Sequence, residues 1–148
     1  MERILVGVDG SAPCPKAVDF SADLATKYNA ELILLTVVPH LFPKSDAAVE
    51  EFARLEHVAI PEAKLALTTA DNVLDDARRK ARAKDLTRIS AEPSFGDPAQ
   101  AIITAARDRQ ADLIVVGSRG HGRLVGLLLG SVAQKVISLA HCPVVVVR

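Results

Sequence analysis

Three nearly unbroken apolar runs constrain this chain most: AELILLTVV at 30–38, ADLIVVG at 111–117 and PVVVVR at 143–148. A strand with one wet face alternates polar and apolar residues, whereas a strand covered on both faces does not. RILVGV at 3–8 and LTRISAE at 86–92 complete five predicted strands. Amphipathic segments separate them. Within 16–30, Ala17, Phe20, Leu24 and Tyr28 fall on one helical face, and after Pro61 so do Ala66, Ala70, Val73, Ala77 and Ala81. A further helix opens with Asp97 as N-cap, Pro98 in its first position and Gln100 closing a capping box; its apolar face is Ala99, Ile102, Ile103 and Ala106. The last helix carries Val132, Val136 and Leu139 or Ala140. This alternation means βαβ crossovers, and therefore an α/β fold with a parallel sheet covered by helices on both faces. The stretch 39–64, with its prolines and mixed charge, reads as a long connection holding a short helix around 46 to 56.

Composition narrows the class. At 148 residues the chain reads as one domain, 1–148, long enough to bury a core. Lys+Arg and Asp+Glu are equal at 18 each, a balance that argues against nucleic acid or an anionic membrane as the partner. The first apolar run follows Glu2 and is too short for a signal peptide, and no stretch has the length of a membrane span. Cys14 and Cys142 share no CxxC spacing and read as small hydrophobes in a reducing cytoplasm.

In open α/β sheets, ligands bind beyond the carboxyl ends of the strands, where the strand order reverses. Two loops there carry chemistry: VDGSAPC after the first strand and the glycine-rich GSRGHGRLVGLLLGSV after the fourth. If strands one and four are neighbours, the loops face one another across a crevice. The second loop has five glycines, Gly117, Gly120, Gly122, Gly126 and Gly130, and no Asp or Glu occurs after Asp112. Arg119, His121, Arg123, Lys135, His141 and Arg148 all follow it. Glycine-freed N–H groups and a helix N-terminus near Gly130-Ser131 make an anion cradle, with phosphate its natural guest. The plainer reading is that the glycines permit turns and the basic residues are a solvated face. No GK[ST] of a Walker A loop occurs, and a GxGxxxG read from Gly120, Gly122 and Gly126 lacks the acidic ribose ligand of a dinucleotide site, which favours a mononucleotide.

Gly117-x-x-Gly120, nine residues, then Gly130-Ser131 resembles the G-2x-G-9x-G-[S/T] pattern of the ATP-binding branch of the universal stress protein family. ILVGVDGS resembles that family's first strand and Asp loop, GDPAQAII its G-x-P-A-x-x-I helix start, and HCPVVVVR its closing strand. The resemblance implies an open five-stranded sheet of order 3-2-1-4-5, Rossmann-like and akin to the adenine nucleotide alpha hydrolases, in a cytoplasmic homodimer that acts in stress tolerance. It implies that Val8 and Asp9 contact adenine and ribose, that the backbone of Val37 reads the adenine edge, and that Val116 and Gly117 flank the ribose. Gly120, Gly130, Ser131 and Val132 would hold the phosphates, with Arg119 near the phosphate tail. Ser131 is equally suited to a helix N-cap. The ligand would be ATP, or ADP or AMP, with Mg²⁺ or Mn²⁺ on its phosphates and Asp9 the protein group placed to touch the ion. Thr36 stands where many relatives carry a histidine.

Related adenine-nucleotide enzymes carry SGGxDS or HxGH signatures; this chain has VDGSAPC, and His121 is followed by Gly-Arg-Leu. Phosphoryl transfer needs a positioned nucleophile, and no second carboxylate is evident. A nucleotide-binding regulator without catalytic residues is therefore expected. The alternatives are a slow ATP hydrolase or phosphotransferase, and a dimeric interaction module for which ATP is structural. The run Val144–Val147 at a sheet edge predicts a two-fold dimer through strand 143–148.

Overall fold

Strand and helix alternate along the chain as the apolar runs require. The computed structural model describes residues 1–38, 54, 60–120 and 129–148. In order these form β1 (Arg3–Gly7), α1 (Cys14–Tyr28), β2 (Glu31–Val38), α2 (Ile60–Arg82), β3 (Ile89–Phe95), α3 (Pro98–Asp108), β4 (Leu113–Gly117), α4 (Ser131–Leu139) and β5 (Val144–Val147). The strands make one sheet of order β3-β2-β1-β4-β5, parallel throughout. Apart from Arg54, the short helix expected at 46 to 56 lies outside the described residues. Among the described residues no helix is long and apolar enough to cross a membrane.

Successive strand residues point to opposite faces, so the continuous apolar runs supply two cores. On one face Ile4, Val6, Leu32, Leu34 and Val115 pack against α1 and α2, through Ala17, Val18, Ala22 and Ala25 of the first and Leu74, Ala77 and Ala81 of the second. On the other, Leu5, Ile33, Leu35, Ile114 and Val116 meet Ala99, Ile102, Ile103 and Ala106 of α3, and Ala133 and Val136 of α4. Alanines dominate the buried helix faces and let the helices approach the sheet closely. This corrects the expected face of α1. Ala17 is buried, but Phe20 and Tyr28 are 40% and 50% exposed, and Val18, Ser21, Ala22 and Ala25 turn inward instead. An aromatic ring on that face would hold the helix off the strands. Leu139 of α4 is likewise exposed, and Ala140 is half-buried.

The third strand lies further along the chain than the sequence predicts. Leu86 is buried where the chain leaves α2, after a left-handed turn at Asp85 (φ 58°), and pairing with β2 begins only at Ile89. It then continues through Pro93 to Phe95. Proline is tolerated because β3 is an edge strand, where one row of backbone groups has no strand partner. Polar ties close the other end of the sheet. Asp112 accepts from the N–H groups of Glu2 at 2.6 Å and Arg3 at 3.0 Å, which holds its carboxyl below the usual aspartate range. Arg109, at the end of α3, donates to Glu31 of β2 at 2.8 Å and to Glu92 of β3 at 3.0 Å.

Asp97 caps α3 as expected, its Oδ1 accepting from the Gln100 N–H at 3.0 Å. The reciprocal half of the capping box does not form. The Gln100 side chain instead donates to Thr104 Oγ1 at 3.2 Å, its neighbour one turn on. The Gln100 N–H, helped by Lys135, lowers the Asp97 pKa. A lowered carboxyl stabilises the fold above its unfolded pKa and loses that contribution as pH falls through its folded value. Asp97→Ala should therefore cost about 0.5–2 kcal/mol in urea unfolding at pH 7. The difference from the parent should shrink as pH falls below the ordinary aspartate range; equal stability at pH 7 would contradict the capping role.

Candidate functional site

The strand order reverses between β1 and β4, and the loops leaving their carboxyl ends meet there. After β1, the Val8 N–H donates to the Leu35 carbonyl at 2.8 Å, extending the ladder by one residue. The chain then turns at Gly10, whose φ of 75° suits glycine. Asp9 stabilises this turn. Its Oδ1 accepts from the Ser11 N–H at 2.9 Å and from the Ser11 hydroxyl. That hydroxyl also stands 3.3 Å from the carbonyl oxygen of Arg119, so the two loops touch across the crevice. After β4, the Ser118 N–H donates to the Val147 carbonyl, and the Gly130 N–H to the Ser118 carbonyl, each at 2.7 Å.

A cavity of about 320 Å³ opens between these loops. Val8, Asp9, Val37, Val116, Gly117, Arg119, Gly120, Gly130, Ser131 and Val132 all line it. Its wall also includes Gly7, Cys14, Leu35, Pro98, Ile102, Ser118 and Ala133, which the sequence reading did not single out as site residues. The cavity is chemically divided. Leu35, Val37, Val116 and, from α3, Pro98 and Ile102 make an apolar slot. Arg119, Gly120, Gly130 and Ser131 make a polar end against the start of α4, and Asp9 is the carboxylate on the wall.

Three glycines of this wall differ in why they are glycine. A Cβ on Gly117 would stand 3.1 Å from Pro13 Cβ and 3.2 Å from the Arg119 carbonyl oxygen, so the turn itself leaves no room for one. A Cβ on Gly120 would stand 2.8 Å from Asp9 Oδ2, so this backbone packs directly on the carboxylate. Gly130 is different. Its φ of −72° and ψ of 160° suit any residue, and a Cβ there would meet Arg119 Cα and the Ser118 carbonyl oxygen at an ordinary 3.5 Å. The described chain does not itself require glycine at this position.

Gly130 is also the N-cap of α4, and Ser131 is the first helical residue; this corrects the reading of Ser131 as a cap. The cap makes no side-chain hydrogen bond, so nothing from it satisfies the first-turn amides of Ser131, Val132 and Ala133, which have no intrahelical acceptor. Their positive end points at the polar part of the cavity. Of the basic side chains among the described residues, one lines the cavity. Arg119 lines the cavity, but Lys135 turns to Asp97, Nζ to Oδ2 at 3.3 Å. His141 precedes β5, at the opposite end of a parallel strand. Arg148 follows β5 but does not line the cavity, and His121, Arg123, Gly122 and Gly126 lie outside the described residues.

Pro98 and Ile102 escaped notice as site residues because an apolar wall carries no chemical signature. Within GDPAQAII they read as a helix start and a core face, and Ile102 is in fact buried as well as lining the slot. Cys14 is buried as expected, and burial pushes its thiol pKa up.

Comparison with known proteins gives a consistent likeness. Residues 1–148 match the model of the universal stress protein family. The chain is 34% identical over 154 residues to universal stress protein YxiE of Bacillus subtilis, covering 99% of this chain and 98% of that one. A universal stress protein UspA from Lactobacillus plantarum shares the fold, with a TM-score of 0.81 at 24% identity over 99% and 97% of the two chains. A universal stress protein solved in complex with cAMP superposes with a TM-score of 0.71 at 29% identity, covering 99% and 96%.

The unequal demands on the glycines can be measured by alanine substitution. Gly117→Ala should lower unfolding stability by about 1–3 kcal/mol through overpacking. Gly130→Ala should stay within about 1 kcal/mol of the parent, the scale of an N-cap change. Equal losses in the two variants would show that the fold itself demands Gly130.

Proposed function

The chain belongs to the universal stress protein family, and from that premise we propose that it is an ATP-binding regulatory protein of the cellular stress response. The observation that carries the reading is Gly130, a glycine whose backbone and described neighbours leave room for a side chain, at a helix N-terminus facing the cavity. Such a position is explained by a ligand that takes the space beside those amides, and phosphate oxygens match them in charge and geometry. The apolar slot at the other end of the cavity suits a base, and a relative at 29% identity was solved with cAMP.

In this reading adenine lies in the slot against Val8, with the backbone of Val37 at its edge. Asp9 meets the ribose, where a carboxylate accepts from hydroxyls, and Val116 and Gly117 flank it. The backbone of Gly120, Gly130 and Val132, with Ser131, holds the phosphates, and Arg119 supplies a charge at the open end. Mg²⁺ or Mn²⁺ would arrive on the phosphates, where it neutralises charge. Among the described residues no group of three His, Cys, Asp or Glu could hold a metal ion, and Asp9 is the carboxylate among them on the cavity wall. ADP or AMP would use the same base and ribose contacts. A cytoplasmic setting accords with two free cysteines.

Binding without catalysis is the favoured role. Asp9 is the one carboxylate among the described wall residues, and its Oδ1 already accepts from Ser11. Phosphoryl transfer needs a group that positions the nucleophile as well as charge stabilisation. Homodimerisation through β5 is part of the same proposal. The strand pairs only with β4 among the described strands, and Val144 to Val147 remain half-buried along an apolar edge.

Calorimetric titration with Mg-ATP tests the ligand. Gly130→Val should weaken binding at least tenfold while its melting temperature stays close to the parent's; equal affinity would remove the phosphates from this loop. The same preparations should hydrolyse ATP far below the roughly 1–1000 per second of ordinary enzymes. A rate in that range that Asp9→Asn abolishes would make the protein an enzyme. Val146→Pro deletes an N–H on the open edge of β5, where Val145 and Val147 face β4, and should turn a light-scattering dimer into monomer or aggregate. An unchanged, folded dimer would place the interface elsewhere.

A further inference from the structure

We propose that Gly7 sets the depth of the apolar slot by seating Ile102, and so determines which bases the cavity accepts. The inference rests on the nucleotide reading above. Gly7 is the last residue of β1, on the sheet face that α3 covers, and both Gly7 and Ile102 line the cavity. A Cβ on Gly7 would stand 3.0 Å from Ile102 Cδ1, 3.7 Å from Ile102 Cγ1 and 3.5 Å from Val116 Cγ1. The first distance is closer than real Cβ atoms normally pack, so Ile102 occupies space that any other residue at position 7 would claim.

The direction of the resulting shift follows from what can move. Gly7 is held in the ladder by Leu35 on one side, and Val116 belongs to the neighbouring strand. The helix α3 is pinned at its start by Asp97 to Lys135, at 3.3 Å, and at its end by Arg109 to Glu31 and Glu92, at 2.8 and 3.0 Å. Between these ties Ala99 and Ile103 are 2% and 3% exposed, so the helix is packed as well as tethered. The Ile102 side chain is then the part that yields, and the open volume beside it is the cavity. Gly7 is a positioning residue: it touches the base through Ile102.

Extra carbon in an apolar pocket changes affinity by about tenfold or more. Gly7→Ala should therefore weaken ATP binding about tenfold, leave binding of inorganic tripolyphosphate unchanged, and weaken UTP less than ATP. Ile102→Val removes the contacting Cδ1 and should restore ATP affinity in the Gly7→Ala background, which a general loss of packing would not do. Ile102→Val alone deepens the slot and should raise the affinity of 1,N6-ethenoadenosine triphosphate relative to ATP; this ratio decides the matter if Gly7→Ala does not fold. Parallel loss of ATP and tripolyphosphate, absence of rescue, or an unchanged ratio overturns the slot-depth inference alone. A parent protein that binds no ATP overturns this inference and the proposed function together.

Discussion

The Gly130 N–H bond to the Ser118 carbonyl, at 2.7 Å, ties the start of α4 to the end of β4, and the geometry of the cavity depends on it. A parallel sheet buried on both faces must pair nearly all of its backbone groups. Here the pairing runs past the strand ends: Val8 to Leu35, Ser118 to Val147, Gly130 to Ser118. Where it stops, the first-turn amides of α4 are left facing the cavity. The polar ties of Asp112 and Arg109 draw the rest of the sheet together elsewhere. Among the described residues no side-chain cap meets these amides, and in the proposed reading a phosphate does.

The division of the cavity has the same origin. The side chains that line the slot are the last residues of the alternating pattern that builds the core of the α3 and α4 face. Leu35 and Val116, both buried, continue the rows of Ile33 and Ile114 to the cavity wall, and Val37 beyond them is only half-buried. The proposed base site therefore needs no separate construction: it is the end of this core, with Ile102 of α3 over it and the absence of a side chain at Gly7 as the reason Ile102 sits so low.

Much of this was legible in the residues. Unbroken apolar strands forced coverage on both faces, alternation forced parallel crossovers, and the observed sheet has the expected order. The ten residues expected at a site line one cavity. What the sequence could not convey depends on distances across the fold. Helical periodicity placed Phe20 and Tyr28 on the same face as Ala17, but only the small faces of α1 permit close approach to the strands. The strand expected at 86–92 stops short of Pro93, yet pairing runs from Ile89 to Phe95 because an edge position tolerates the proline. Lys135 counted toward a basic cluster until its partner Asp97, 38 residues away in sequence, came within 3.3 Å. Gly7 looked like one more small residue in a strand, because its meaning lies in Ile102.

The central claim is that the cavity at the carboxyl ends of β1 and β4 holds an adenine nucleotide with its phosphates on the start of α4. The most direct measurement is mass spectrometry of the small molecule released by denaturing protein purified without added nucleotide, followed by titration of the emptied protein with Mg-ATP. An adenine nucleotide released in near-stoichiometric amount, or saturable one-to-one binding by the emptied protein, is the predicted result. A released ligand without phosphate, or an empty protein that gives no binding heat with Mg-ATP, would contradict the account.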